Sequence, residues 1–126
     1  MRLPGFGLLA VLLLAGCSRT PEPPQALPDA ADVKAGREGE TIFQMRCFVC
    51  HGREGKGNGP ASTGLGATVR DLTDPSWQDS TSDQTISSVI RNGAQAVGGS
   101  VAMVPNRDLS DAQIRSLVLY IRRLRR

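Results

Sequence analysis

The chain has 126 residues, a formal charge of +3, and three cysteines beside a single histidine. That length suits one domain with a small core of its own, and so weak a positive balance gives nucleic-acid binding no support. A structural zinc site wants four thiolate or imidazole ligands, and only three candidates remain once the cysteine of the apolar leader is set aside.

Residues 1–16 read as a bacterial lipoprotein signal peptide. Arg2 supplies the positive start, an apolar stretch runs from Leu8 to Leu14, and Ala15 and Gly16 precede Cys17. The run is shorter than the roughly 20 residues a spanning helix needs. Leu14-Ala15-Gly16-Cys17 resembles a lipobox, which makes Cys17 the lipid attachment point. An uncleaved anchor or an ordinary secretory signal is the alternative. In each case the domain is expected on the periplasmic or extracytoplasmic side of a bacterial membrane. Residues 17–31 follow as lipid anchor and tether, where Pro21, Pro23, Pro24 and Pro28 favour extended, polyproline-like chain.

Residues 32–126 are read as the folded domain. A first helix is predicted over about Val33 to Met45. Gly36 and Gly39 are poor helix formers, and Gly39, with Phe43 one turn on, marks a place where another helix can cross closely. Cys47-Phe48-Val49-Cys50-His51 comes next. This C-x-x-C-H run is the attachment signature of a c-type haem. Two thiols at that spacing can form thioethers with both vinyl groups on one side of the porphyrin, and the histidine can ligate the iron. A disulfide, a redox pair or a metal site is the alternative, although no strand alternation supplies the βαβ context of a thioredoxin-like pair. The His51 ring N–H should be held by a backbone carbonyl, and Pro60 is the expected acceptor.

Glycines 52, 55, 57, 59, 64 and 66 punctuate the following segment. Gly55-Lys56 is followed by Gly57 rather than Ser or Thr, so a phosphate loop is excluded. The run reads as a loop turning tightly beside the haem edge, or as simple flexible chain. Trp77 is a candidate hydrogen-bond donor to a haem propionate, or plain packing. A middle helix is predicted to start at Thr81, where Thr81-Ser82-Asp83-Gln84 fits a capping box. Ile86, Val89 and Ile90 form its stripe and Gly93 its C-terminal stop.

Elimination gives the second axial ligand. The chain holds no second histidine, Met1 leaves with the leader, and Met45 lies on the chain entering the proximal side. Met103, in an irregular segment between two helices, is left; a core gap-filler is the alternative. With His51 and Met103 both bound, the iron keeps no open position and suits one-electron transfer. The last helix opens with the capping box Ser110-Asp111-Ala112-Gln113, and Leu109 and Ile114 stand at staple positions. Ile114, Leu117, Val118, Ile121 and Leu124 keep helical spacing. Arg122, Arg123, Arg125 and Arg126 form either a solvated helix end that complements the dipole or a docking patch for an acidic partner or anionic lipid.

Together these residues resemble the bacterial class I monohaem cytochromes c, over about Lys34 to Leu124. Gly39-x-x-x-Phe43-x-x-x-Cys47, Gly55-x-Gly57-x-Gly59-Pro60, Val89-Ile90-Arg91-Asn92-Gly93 and Leu117-Val118-Leu119-Tyr120-Ile121-Arg122 carry the resemblance. It implies an all-α domain of three or more helices around one covalent haem c, with Gly39 and Phe43 meeting Tyr120 where the first and last helices cross. Many relatives have Met-Pro at the distal ligand, whereas here Val104 separates Met103 from Pro105. The expected function is a one-electron carrier between redox protein partners, with no catalytic residues of its own, as a monomer or a subunit of a complex. An electron-entry haem subunit of a membrane-bound oxidoreductase is the second reading. A gas-binding haem sensor is the third, and needs a vacant or labile distal site.

Overall fold

The computed structural model describes residues 29–126. The leader, Cys17 and most of the proline-rich tether lie outside the described residues. Among those described there is no strand, and the fold is all-α.

Helix α1 (Ala30–Ile42) starts three residues before the predicted position, because Asp29 caps it by accepting from the Asp32 N–H at 2.8 Å. It runs straight into a π-helical turn, Phe43–Cys47, in which the Phe48 N–H reaches back to the Phe43 carbonyl. One extra residue in the turn shifts the register of everything after it, and the first thing after it is α2 (Phe48–His51), the motif itself.

Helix α5 (Asp111–Arg123) has the predicted capping box, Ser110 accepting from the Gln113 N–H and Gln113 returning a bond to the Ser110 N–H. Its predicted stripe, Ile114, Leu117, Val118, Ile121 and Leu124, is buried throughout, as is Leu109. A capping residue contributes about 1 kcal/mol, while each buried side chain of this size contributes about 1.5–3 kcal/mol. Packing therefore outweighs the cap. The partner for that face is α1. A Cβ on Gly39 would stand 1.9 Å from the Ser116 carbonyl oxygen, so the two helices cross backbone against backbone. Phe43 is 1% exposed and stacks tilted on Tyr120 at 5.1 Å between ring centroids. The three residues expected at the crossing are there.

The middle of the chain departs from expectation. A short helix α3 (Pro75–Ser80) precedes the predicted one, with Asp74 capping the Ser76 N–H and Pro75 in the first helical position. Thr81 closes α3, so the cap of α4 (Asp83–Asn92) moves on by one residue to Ser82, which accepts from the Thr85 N–H at 3.1 Å. Gly93 ends α4 at φ +82°, as its position predicted.

The α3–α4 corner is riveted to α5. Gln78 is buried, and its Nε2 donates to the carbonyls of Leu72 and Ile121 at 2.7 and 2.8 Å. Arg122 donates to the carbonyl and Oε1 of Gln78, to the Thr81 carbonyl and to Asp83. Three of the C-terminal guanidiniums, those of Arg122, Arg123 and Arg125, are thus tied into the fold, while Arg123, Arg125 and Arg126 remain exposed. Arg123 donates to the Asp32 carbonyl at 2.9 Å, Arg125 makes a two-pronged pair with Asp79, and the Arg126 N–H donates to the Thr73 carbonyl at 3.2 Å.

Candidate haem-binding site

The last carbonyls of a helix have no partner within it, and a motif helix of four residues is almost all ends. The glycine-rich loop supplies the partners. Gly57, Gly59 and Ala61 donate their N–H groups to the carbonyls of His51, Cys50 and Val49 at 2.7, 3.0 and 2.8 Å. A side chain at Gly59 would stand 2.4 Å from two of the motif's carbonyl oxygens, which is why the loop can lie so close. Its amides point at peptide, not outward, in keeping with the exclusion of a phosphate cradle. Over residues 57–61 the loop is a fitted wrap, while a Cβ at Gly64 or Gly66 further on would meet nothing within 4 Å.

The same loop seats the next segment. The Leu72 N–H donates to the Gly55 carbonyl at 2.7 Å. The Arg70 carbonyl thereby comes to 3.2 Å from His51 Nδ1. A carbonyl only accepts, so Nδ1 carries the proton and Nε2 keeps its lone pair for a metal. Pro60, the expected acceptor, lies instead between Gly59 and Ala61 in the wrap. No sequence signal marks Arg70, because any residue's backbone offers the same carbonyl. Burial pushes the His51 imidazole below its ordinary range, with the Arg70 hydrogen bond opposing. Phe43 flanks the ring at 6.4 Å between centroids.

Cys47 and Cys50 are half-buried free thiols. Burial pushes the Cys47 thiol up to about 11, Arg46 opposing and Cys50 reinforcing. At neutral pH it is a protonated and weakly nucleophilic sulfur.

Met103 is carried by a loop fastened to the end of α4. The Ala94 N–H donates to the Met103 carbonyl at 3.1 Å, and the Met103 N–H to Ser100 at 3.3 Å. Asn106 donates to the Ile90 carbonyl twice, through its backbone N–H at 3.0 Å and its Nδ2 at 3.2 Å. It is a positioning residue that sequence reading missed, since a lone Asn after a proline reads only as a turn. Val104, the residue inserted between Met103 and Pro105, is 65% exposed. Met45 is 71% exposed and does not line the cavity described next.

Cys47, Cys50, His51 and Met103 converge on one cavity of about 660 Å³, within the roughly 300–1,000 Å³ of cofactor pockets. Its walls include Ile86, Val89, Ile90, Leu117 and Trp77, and its charged lining is Arg46 and Arg70 with no carboxylate among the described residues. Thiols, an imidazole and a thioether around apolar walls, with cations for anionic substituents, are a donor set that fits haem c.

Comparison with known proteins agrees with this. A family model described as "Cytochrome c" matches residues 36–125. The chain is 32% identical over 117 residues to the cbb3-type cytochrome c oxidase subunit FixP of Azorhizobium caulinodans, covering 91% of this chain and 36% of that protein. It is 27% identical over 97 residues to the cbb3-type cytochrome c oxidase subunit CcoP of Azospirillum brasilense, covering 75% and 30%. The chain thus spans about a third of the length of these curated relatives. Among solved structures, the KustC0563 c-type cytochrome is similar, with TM-score 0.57 and 29% identity over 70% of this chain and 98% of that one.

Proposed function

Because the chain belongs to the cytochrome c family, whose members carry covalent haem c, we propose that it is a class I monohaem electron carrier, lipid-anchored through Cys17 on the outer face of a bacterial membrane. Cys47 and Cys50 would hold the haem as thioethers, and His51 and Met103 would be the side chains that ligate its iron. Haem c supplies an iron that cycles between Fe(II) and Fe(III). The protein's part is to hold that iron and change little while it does so. The Arg70 carbonyl keeps the His51 ring oriented, and the Ala94 and Asn106 bonds keep the Met103 loop in place. Apolar walls keep water away, and a thioether ligand favours the ferrous state. With His51 and Met103 both on the iron, no position would be left for a substrate, and the chain would serve to move one electron.

The single observation that carries this reading is the convergence of the four predicted residues on one apolar cavity. Pigment that stays with the polypeptide after acid–acetone extraction is the expected result; pigment lost to the solvent refutes covalent attachment. Met103→Ala should lower the reduction potential, abolish the sulfur-to-iron absorption of the oxidised protein and let carbon monoxide bind the reduced form rapidly. An unchanged spectrum rules out Met103 as the ligand.

A second reading is favoured by the relatives, which are named as subunits of cbb3-type oxidases: the chain acts as the electron-entry subunit of a membrane-bound oxidoreductase. Co-purification with a larger complex under mild detergent supports that reading, and a lone monomer supports the free carrier.

A further inference from the structure

Helix α4 has two faces of different chemistry. Thr85, Ile86, Val89 and Ile90 line the haem cavity, whereas Gln84, Ser87, Ser88 and Arg91 line a separate groove of about 320 Å³ against α5. At 3.6 residues per turn the two sets fall on opposite sides of the helix. The groove and the cavity share no lining residue.

From α5 the groove takes Asp111 and Arg115. Arg91 pairs with Asp111, but the side chains are 37% and 76% exposed, so the pair sits in high dielectric and contributes little. Arg115 is exposed and has no carboxylate partner among the described residues. Ser88 Oγ accepts from Asn92 Nδ2 at 3.3 Å, which leaves its own proton to donate.

We propose that this groove binds a phosphate-type oxyanion between the guanidiniums of Arg91 and Arg115, with the Ser87 and Ser88 hydroxyls as further donors. Guanidinium N–H pairs match phosphate oxygens two at a time. Replacing the exposed Asp111 by such an anion exchanges one charge-assisted contact for two. The ligand is either free phosphate or the headgroup of an anionic phospholipid. In the second case the α4–α5 face lies on the bilayer and the cavity side of α4 faces away from it. The site does not depend on the haem reading.

The test is a titration of the full-length matured protein, followed by backbone amide NMR at constant ionic strength. The probes are inorganic phosphate and glycerophosphoglycerol, the water-soluble headgroup of phosphatidylglycerol, with chloride as reference. Saturable shifts at Ser87, Ser88, Arg91 and Arg115 are expected. Saturation by inorganic phosphate alone assigns a free anion, and tighter saturation by the headgroup assigns a lipid; both uphold the site. Arg91→Gln/Arg115→Gln should weaken binding by about tenfold or more, the loss of two charge-assisted contacts. Arg115→Gln alone, at an exposed position, should weaken it several-fold with the absorption spectrum unchanged. Shifts that fail to saturate, that chloride reproduces, or that persist in both variants overturn the proposal.

Discussion

One backbone oxygen decides which nitrogen of His51 carries a proton. The Arg70 carbonyl accepts from Nδ1, and burial lowers the imidazole's affinity for a second proton. A folded-state pKa below the unfolded value of about 6.5 has a definite sign: its stabilisation is whole above about pH 6.5 and is lost as pH falls through the lowered value. Asp71 behaves alike at lower pH. The hydroxyl and N–H of Thr73 donate to its carboxylate and pull it below its ordinary value of 3.8, so its contribution goes only in stronger acid. In the haem-free chain, where His51 is unligated, thermal melting followed by circular dichroism should therefore show a plateau above about pH 6.5 and a decline beneath it. In Asp71→Asn the decline beneath about pH 6.5 should remain while the loss below about pH 4 shrinks. A melting temperature flat from pH 7 to about 4.5 contradicts the buried imidazole. Cys47 shows the opposite shift, upward and again from burial, and its thiol should resist alkylation in a folded, haem-free chain at neutral pH.

Elements meet here through backbone as much as through side chains. At the α1–α5 crossing, a methyl on Gly39 has only the Ser116 peptide to push against, 1.9 Å away, and no flexible side chain to displace. Gly39→Ala should thus destabilise by roughly 1–3 kcal/mol, as overpacking does. Gly64→Ala, where nothing lies within 4 Å, should leave the melting temperature within about 2 °C. Arg122 works differently. It is a side chain that gathers the Gln78 and Thr81 carbonyls, the Gln78 amide oxygen and Asp83. Arg122→Met keeps the stem and removes the donors, so partly buried acceptors lose their partners at about 1–3 kcal/mol. Urea unfolding should show the midpoint fall with an unchanged slope. The π turn before the motif is a third device at this scale, since it sets the register in which Cys47 meets the cavity.

At the scale of the whole molecule, the largest apolar object that the fold is shaped around is not a side chain. The core residues Phe43, Leu72, Ile86, Ile90, Leu117 and Ile121 also line the cavity, so core and cofactor site are one volume. Cys47→Ser/Cys50→Ser should abolish covalent pigment and reduce helical content in far-ultraviolet circular dichroism, because a ligand that binds only the folded state adds its binding energy to folding. A double variant that is colourless yet fully helical and equally stable shows that the protein side chains suffice.

Much of this could be read from the sequence because it is local. The C-x-x-C-H run, the Ser110–Gln113 box, the α5 stripe and the stop at Gly93 each depend on neighbours within about one or two turns, the range over which helix periodicity and capping act. Gly39 was legible for a related reason: a poor helix former within a helix needs a packing partner. The Asp74-Pro75 start of α3 was equally local, and was missed because six residues make no periodic stripe. What only the tertiary structure decided are the pairings of distant chain. The carbonyl that orients His51 comes from 19 residues away. Arg122, Arg123 and Arg125 turn out to be fasteners because Asp32, Gln78, Asp79 and Asp83 are folded against them. Backbone carbonyls are the same in every residue and guanidiniums accept many partners, so composition and spacing carry no trace of which ones will meet.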